Sequence, residues 1–297
     1  MDQHSSRTMT NDRRTLLLTR PLTEAVEWAT SLRSAGYRVE QLPLMETTSP
    51  TNAEDIESLD HWRRHWSSAS AIMMVSPAAV RWFFGGSSDV TPLVTDERQV
   101  DSQTRWWSPG PGTAKVLTRL LAERGLDARC VDSPPNDAQQ FDSEALWAVV
   151  SAQVKRGSHI LVVRGRSRLQ AEVPADASAN PGGDGRQWLL DQCRSLGAKV
   201  STCVAYERRP ADWSAEQLSL AAASDHPQTA WLFSSGEAID MLRRRMPDHD
   251  WASAVALTTH PRIAMVAKHL GFGTVLSCRP GLPDVLAALE SHWSHIQ

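Results

Sequence analysis

The stretch TLLLTR at residues 15–20 returns as HILVVR at 159–164. In each, an apolar run ends on an arginine, which sets Arg20 opposite Arg164. Further matches follow in the same order. LRSAGYRV (32–39) pairs with CRSLGAKV (193–200), so Gly36 matches Gly197. MMVSPAAV (73–80) pairs with WLFSSGEAI (231–239), and GPGTAKVLTRLLAERG (110–125) with THPRIAMVAKHLG (259–271). DSEALWAVV (142–150) pairs with LPDVLAALE (282–290). A repeat of this length is a duplicated structural unit. The offset grows from 144 to 161 residues between the first two matches, so the second half carries 17 extra residues. They fall in LQAEVPADASANPGGDG (169–185), whose Ala, Pro, Gly and Asp predict a mobile surface insertion.

The repeated unit reads as alternating strand and helix. Strands are expected at 15–19, 38–42, 71–75, 105–108, 128–131, 159–163, 199–204, 229–233, 254–258 and 274–277, with helical patterns between most of them. That alternation predicts parallel sheets covered by helices, hence an α/β fold in two similar lobes.

Composition sets the class. The 297 residues suffice for two domains, and 41% apolar with 22% charged residues describes a globular chain. A net charge of −3 offers no general attraction to nucleic acid or to an anionic membrane, so neither partner is expected. No apolar run reaches bilayer length. The first dozen residues lack the apolar core of a signal peptide, and 1–13 is expected to be a disordered tail. Cys130, Cys193, Cys203 and Cys278 form no C-x-x-C pair and predict free thiols in a reducing cytoplasm. Twelve scattered tryptophans are expected to pack in cores or cover surface.

Four strand-to-helix turns share one design. SPAAV offers Ser76 as N-cap with Pro77 behind it, and GPGTA repeats the pattern around Thr113. FSSGEA offers Ser234 and Ser235, and THPRIA offers Thr259 with Pro261. In parallel α/β sheets such turns lie at the carboxyl ends of strands, where ligands bind. Their free N–H groups favour anions. GPGTAK lacks the order of a phosphate loop and of a dinucleotide fingerprint, so each turn is either a helix cap alone or an anion site. Arg20 and Arg164 stand at the mouths of equivalent turns, either as solvated surface residues or as forked partners for carboxylates. Tyr206, in VAYERRP, is one of two tyrosines. It fits a strand core or edge, and its phenol is also a proton donor for a leaving group.

Other signals carry less. His61 and His65 share a helix face, but two ligands without a third do not make a metal site. The RRR at 243–245 reads as a solvated helix face. No nucleophile turn, Cys–His pair or carboxylate pair stands out, so no metal or organic cofactor is expected. An enzyme of this composition would work by holding and orienting its substrate.

The pieces LLLTRP, GYRVEQLPLME, VSPAAV, PGPGTA, DSEALW, VVRG, GRQWLLDQCRSLGAKV, AYERRP and HPRIA followed by LG together resemble the uroporphyrinogen-III synthase family, in order from about residue 15 to 290. The resemblance implies two flavodoxin-like parallel-sheet lobes with a cleft between them. One lobe would be 14–41 with 211–297 and the other 46–202. Segments 42–45 and 203–210 would form a two-stranded hinge, with Glu46 and Glu207 in equivalent places. The implied reaction closes the linear tetrapyrrole hydroxymethylbilane, inverting its last ring and losing water. The implied binding residues are Arg20, Ser76, Thr113, Arg164, Ser234 and Ser235. Tyr206 is the implied catalytic residue, with a hinge role as its alternative. The chain departs from the family pattern at Ala78, at the SSG of 234–236 and at Ile263, where Asn, SPS and Thr are common. A cytoplasmic monomer without cofactor is the expectation. The alternative reading is a non-catalytic, two-lobed tetrapyrrole-binding or regulatory module of the same fold.

Overall fold

The computed structural model of the chain describes residues 14–85, 103–138, 140–168 and 184–294. The expected tail at 1–13 lies outside these, as does most of the insertion; its last two residues already belong to a helix. The chain divides into two compact units, Met1–Glu46 with Pro210–Gln297, and Thr47–Arg209.

In chain order the first unit begins with β1 (Thr15–Leu18), α1 (Leu22–Ser34) and β2 (Arg38–Gln41), and β3 (Met45–Thr48) follows. The second unit continues with α2 (Ala53–His65), β4 (Ala71–Met74), α3 (Pro77–Phe83), β5 (Arg105–Trp107) and α4 (Pro111–Ala122). It is completed by β6 (Val131–Asp132), α5 (Ser143–Val150), β7 (His159–Ser167), α6 (Asp184–Ser195) and β8 (Lys199–Pro210). The chain then adds α7 (Ala215–Ala222), β9 (Thr229–Phe233), α8 (Gly236–Arg245), β10 (Val255–Thr258), α9 (Pro261–Leu270), β11 (Thr274–Ser277) and α10 (Leu282–Ser294) to the first unit.

One sheet runs β2-β1-β9-β10-β11 and the other β3-β8-β7-β4-β5-β6. Taking β7 as the counterpart of β1, both follow the 2-1-3-4-5 order of flavodoxin-like sheets, with β3 added at one edge. The strand pairs within those five-strand sets are parallel. The duplication extends to register: Thr15 pairs with Arg38 across β1 and β2, and His159 with Lys199 across β7 and β8. These are the residues matched by the sequence repeat.

Helices cover both sheet faces, which is why runs such as AIMM and TAWLF are apolar without alternation. In the second unit Trp106 packs with Trp66, Phe83 and Leu117, while its neighbour Trp107 packs on the opposite face with Leu146, Val150 and Leu189. In the first unit Leu16 and Leu18 bury against Ala25, Leu32, Val285 and Trp293. Six tryptophans, Trp66, Trp106, Trp107, Trp231, Trp251 and Trp293, are fully buried.

Two expectations are corrected. The strand expected at 128–131 is a 3-10 turn at Ala128–Cys130, followed by the two-residue β6. The Asp127 side chain accepts from the Arg129 N–H at 2.9 Å and winds the chain there, so pairing starts later. Residues 42–44 of the expected hinge strand 42–45 are not strand. Pro43 has no N–H to pair, and β3 begins at Met45. The other expected hinge segment, 203–210, is strand throughout, as the last eight residues of the twelve-residue β8.

Candidate active site

In a 2-1-3-4-5 sheet, ligands bind beyond the carboxyl ends of the strands where the connections diverge. In the second unit that point lies between β7 and β4. The turn after β4 is Ser76 and Pro77. Ser76 is extended (φ −163°, ψ 163°), and its hydroxyl accepts from the Ala79 N–H at 3.1 Å, as an N-cap should. Pro77 fills the first helical position, where no N–H is needed.

Tyr206 reaches this turn from β8. Arg164 pairs with Val204, but the next β7 residue, Gly165, pairs with Tyr206, so Ala205 is an extra residue in β8. This bulge breaks the strand's alternation. Cys203, Ala205 and Tyr206 consequently share one core cluster. The Tyr206 ring is buried at 4% exposure, and its hydroxyl lies 3.2 Å from the Ser76 hydroxyl. Ser76 already accepts from Ala79, and its own proton is available to the phenol oxygen. Arg208, two residues on, donates from Nη1 to the same oxygen at 3.5 Å. With Arg208 donating and Ser76 also able to donate, the phenol oxygen can accept twice and direct its proton to a third partner.

Charge is arranged around it. Arg164, Arg166 and Arg168 alternate along β7 and just past its end. Arg166 forks onto Asp55 with contacts of 2.5 and 3.1 Å. Arg168 donates to Glu207 at 2.7 Å and to the Thr51 hydroxyl at 3.0 Å. Glu207 also takes the Thr51 N–H at 3.2 Å. Burial alone would raise the Glu207 carboxyl, but these donors outweigh it and hold it below the usual glutamate range. Arg164 is different: its Nε is buried and has no hydrogen-bond partner. Burial, with Arg166 and Arg208 nearby, pulls its guanidinium below the usual arginine value. A carboxylate would relieve both conditions.

The first unit has its own version at the ends of β1 and β9. Arg20 lies with its guanidinium carbon 4.1 Å above the Trp28 ring, and its Nε is likewise buried without a partner. Burial lowers its pKa, partly offset by Glu24 and Cys278. Ser235 is the N-cap of α8, but its side chain makes no capping bond, and half-buried Ser234 precedes it. Of the two serines offered by the sequence, Ser235 is therefore the counterpart of Ser76 as cap.

Two caps are corrected. The N-cap of α4 is Gly110, not Thr113; Pro111 fixes the first helical residue, and Thr113 is buried one turn in, at 6% exposure. The N-cap of α9 is His260, whose Nδ1 accepts from the Arg262 N–H at 3.1 Å, not Thr259. Of the expected residues, Ser76 and Tyr206 are in direct contact, and Arg164 stands on the adjoining strand. Sequence reasoning missed Gly165, Arg208 and Trp28. A glycine ending an apolar strand is itself a sign of close approach, and VVRG carries it.

Among the described residues no three His, Cys, Asp or Glu side chains group to hold a metal, and no helix is long and apolar enough to cross a membrane.

The matched sheets, with phenol, hydroxyl and arginine at the strand ends, define a duplicated flavodoxin-like α/β protein with an anion-suited site. The family model for uroporphyrinogen-III synthase HemD matches residues 26–287, and the chain belongs to that family. Solved synthases share the fold. The enzyme from Helicobacter pylori is 13% identical over 94% of this chain and 99% of its own, with a TM-score of 0.52. A mutant uroporphyrinogen III synthase from the extremely thermophilic bacterium Thermus thermophilus is 13% identical over 95% and 99%, with a TM-score of 0.50.

Proposed function

We propose that the chain converts hydroxymethylbilane into uroporphyrinogen III, inverting the last pyrrole ring and releasing one water. The observation that carries this reading is the Tyr206 hydroxyl, held between the Ser76 hydroxyl and Arg208 at the turn after β4. The phenolic proton goes to the hydroxyl of the substrate's hydroxymethyl group. The C–O bond breaks, water leaves, and the first ring becomes an electrophile. The last pyrrole attacks through its substituted carbon and forms a spiro intermediate. A bond of that intermediate breaks, and the ring recloses in the opposite orientation. Loss of a proton restores the pyrrole and balances the one given to the leaving hydroxyl.

The substrate bears acetate and propionate groups on its rings. Arg164 and Arg20, each with an unpartnered buried Nε, suit those carboxylates, and the first-turn N–H groups of Ala78 after Ser76 and of Gly236 after Ser235 add donors. Thr113 and Ser234 complete the binding set. The unaided substrate closes without inversion. The protein's task is therefore to favour one folded conformer and one line of attack.

The test is the isomer ratio of product after adding purified protein to fresh hydroxymethylbilane. Predominantly type III product is expected. Type I alone, at the spontaneous rate, would sink the reading and favour a non-catalytic tetrapyrrole-binding module.

A further inference from the structure

Gly165 has no side chain at the one place where a side chain would strike the phenol. A Cβ built there would lie 2.5 Å from Cε2 of Tyr206, in contact with its Cζ, and 2.9 Å from Nη1 of Arg208. Carbon atoms do not approach so closely, and the Arg208 end can swing aside while a ring packed in the core cannot. The register shift between Arg164 and Gly165 falls at the same place. The extra residue turns Tyr206 onto the Ser76 side, and the missing Cβ lets its ring lie against β7 at Gly165. We infer that Gly165 is a positioning residue for the reaction, setting the Tyr206 hydroxyl against Ser76 by leaving room for the ring.

The inference rests on the reaction proposed above. It adds a requirement that the phenol alone does not impose. The repeat sharpens the point: in register with the first unit, Gly165 matches Pro21 and Tyr206 matches Met45. Arg20 and Arg164 are kept in both halves, whereas the phenol and the glycine beneath it occur together in one.

The experiment compares the full chain with Gly165→Ala, Tyr206→Phe and the double variant. Gly165→Ala is expected to lower kcat about tenfold or more with KM within about twofold, since binding groups stay in place. In the Tyr206→Phe background the same change is expected to cost less than about twofold further, because the two act through one hydroxyl. With only two tyrosines, 3-fluorotyrosine gives two fluorine resonances. The one absent from Tyr206→Phe should move in Gly165→Ala while that of Tyr37 stays.

Wild-type protein yielding type III product, with Gly165→Ala equally fast and the Tyr206 resonance unmoved, overturns the inference alone. Wild-type protein yielding only type I product overturns the reaction and the inference with it. If Gly165→Ala does not fold, Gly165→Ala in a Tyr206→Ala background decides. Recovery of folded protein supports the ring as what the methyl meets, and continued failure overturns it.

Discussion

The hydroxyls of Ser76 and Tyr206 lie 3.2 Å apart, although 130 residues separate them in the chain. One caps a helix and the other ends a bulge, so two rigid elements set the distance. Removing the phenolic oxygen leaves both elements in place. Tyr206→Phe should lower kcat by about a hundredfold. The lost hydrogen bond should cost only about 1 kcal/mol of stability. Turnover measured beside a urea melt checks both. Unchanged turnover would take Tyr206 out of the chemistry.

Arg164 has a buried Nε without a partner. Replacing it with alanine removes a charge-assisted contact to a substrate carboxylate and should raise KM about tenfold with kcat nearly unchanged. Arg164→Lys should recover only part, because an ammonium cannot fork. Steady-state kinetics on the two variants decide; an unaltered KM for alanine would mean that Arg164 meets solvent, not substrate.

Glu207 supplies a pH dependence. Its carboxyl sits below the usual range when folded, so the unfolded chain binds the proton more readily. Stability from this group is therefore complete above the unfolded value of about 4.3 and is lost as pH falls through the lower folded value. Glu207→Gln should flatten that acid limb, with a difference of about 1–2 kcal/mol at neutral pH. Denaturant melts of both proteins between neutral and acid pH measure it. Parallel curves would show that the Arg168 and Thr51 contacts contribute nothing net.

Arg63 guards the far end of the helix that Ser76 begins. Only 1% exposed, it donates from Nε to the Phe83 carbonyl at 3.0 Å and from Nη2 to the Trp82 carbonyl. Those carbonyls end α3, and that of Trp82 also accepts from the Gly85 N–H at 3.2 Å. Burial pulls the Arg63 guanidinium down to about 10, with Asp60 partly offsetting it. Arg63→Ala removes both guanidinium donations and leaves a cavity, and should cost about 3 kcal/mol. A urea melt reads it, and a loss under about 1 kcal/mol would mean water replaces the guanidinium.

Much of this architecture was legible because apolar runs ending in capped turns report buried parallel strands directly. The repeat that joined Arg20 to Arg164 reappears in the structure as equal registers, Thr15 with Arg38 and His159 with Lys199. Caps were legible where a side chain does the capping, as at Ser76. They were misread where proline geometry decides, as at Gly110, or where an imidazole accepts, as at His260. The contact of Gly165 with Tyr206 was not legible. It depends on a one-residue slip between two strands, and periodicity has no mark for a bulge. Trp28 under Arg20 was hidden for a similar reason: which side chain a guanidinium stacks on is settled by tertiary packing.

The bulge at Ala205 and the bare backbone at Gly165 also bear on how such a chain can change over generations. Neither position can be altered freely while the other stands. A side chain gained at 165 would be tolerated only in a lineage that had already given up the ring at 206. A deletion at 205 would turn the ring to the wrong face in a single event. The steric relation between the two sites makes each a condition on the other.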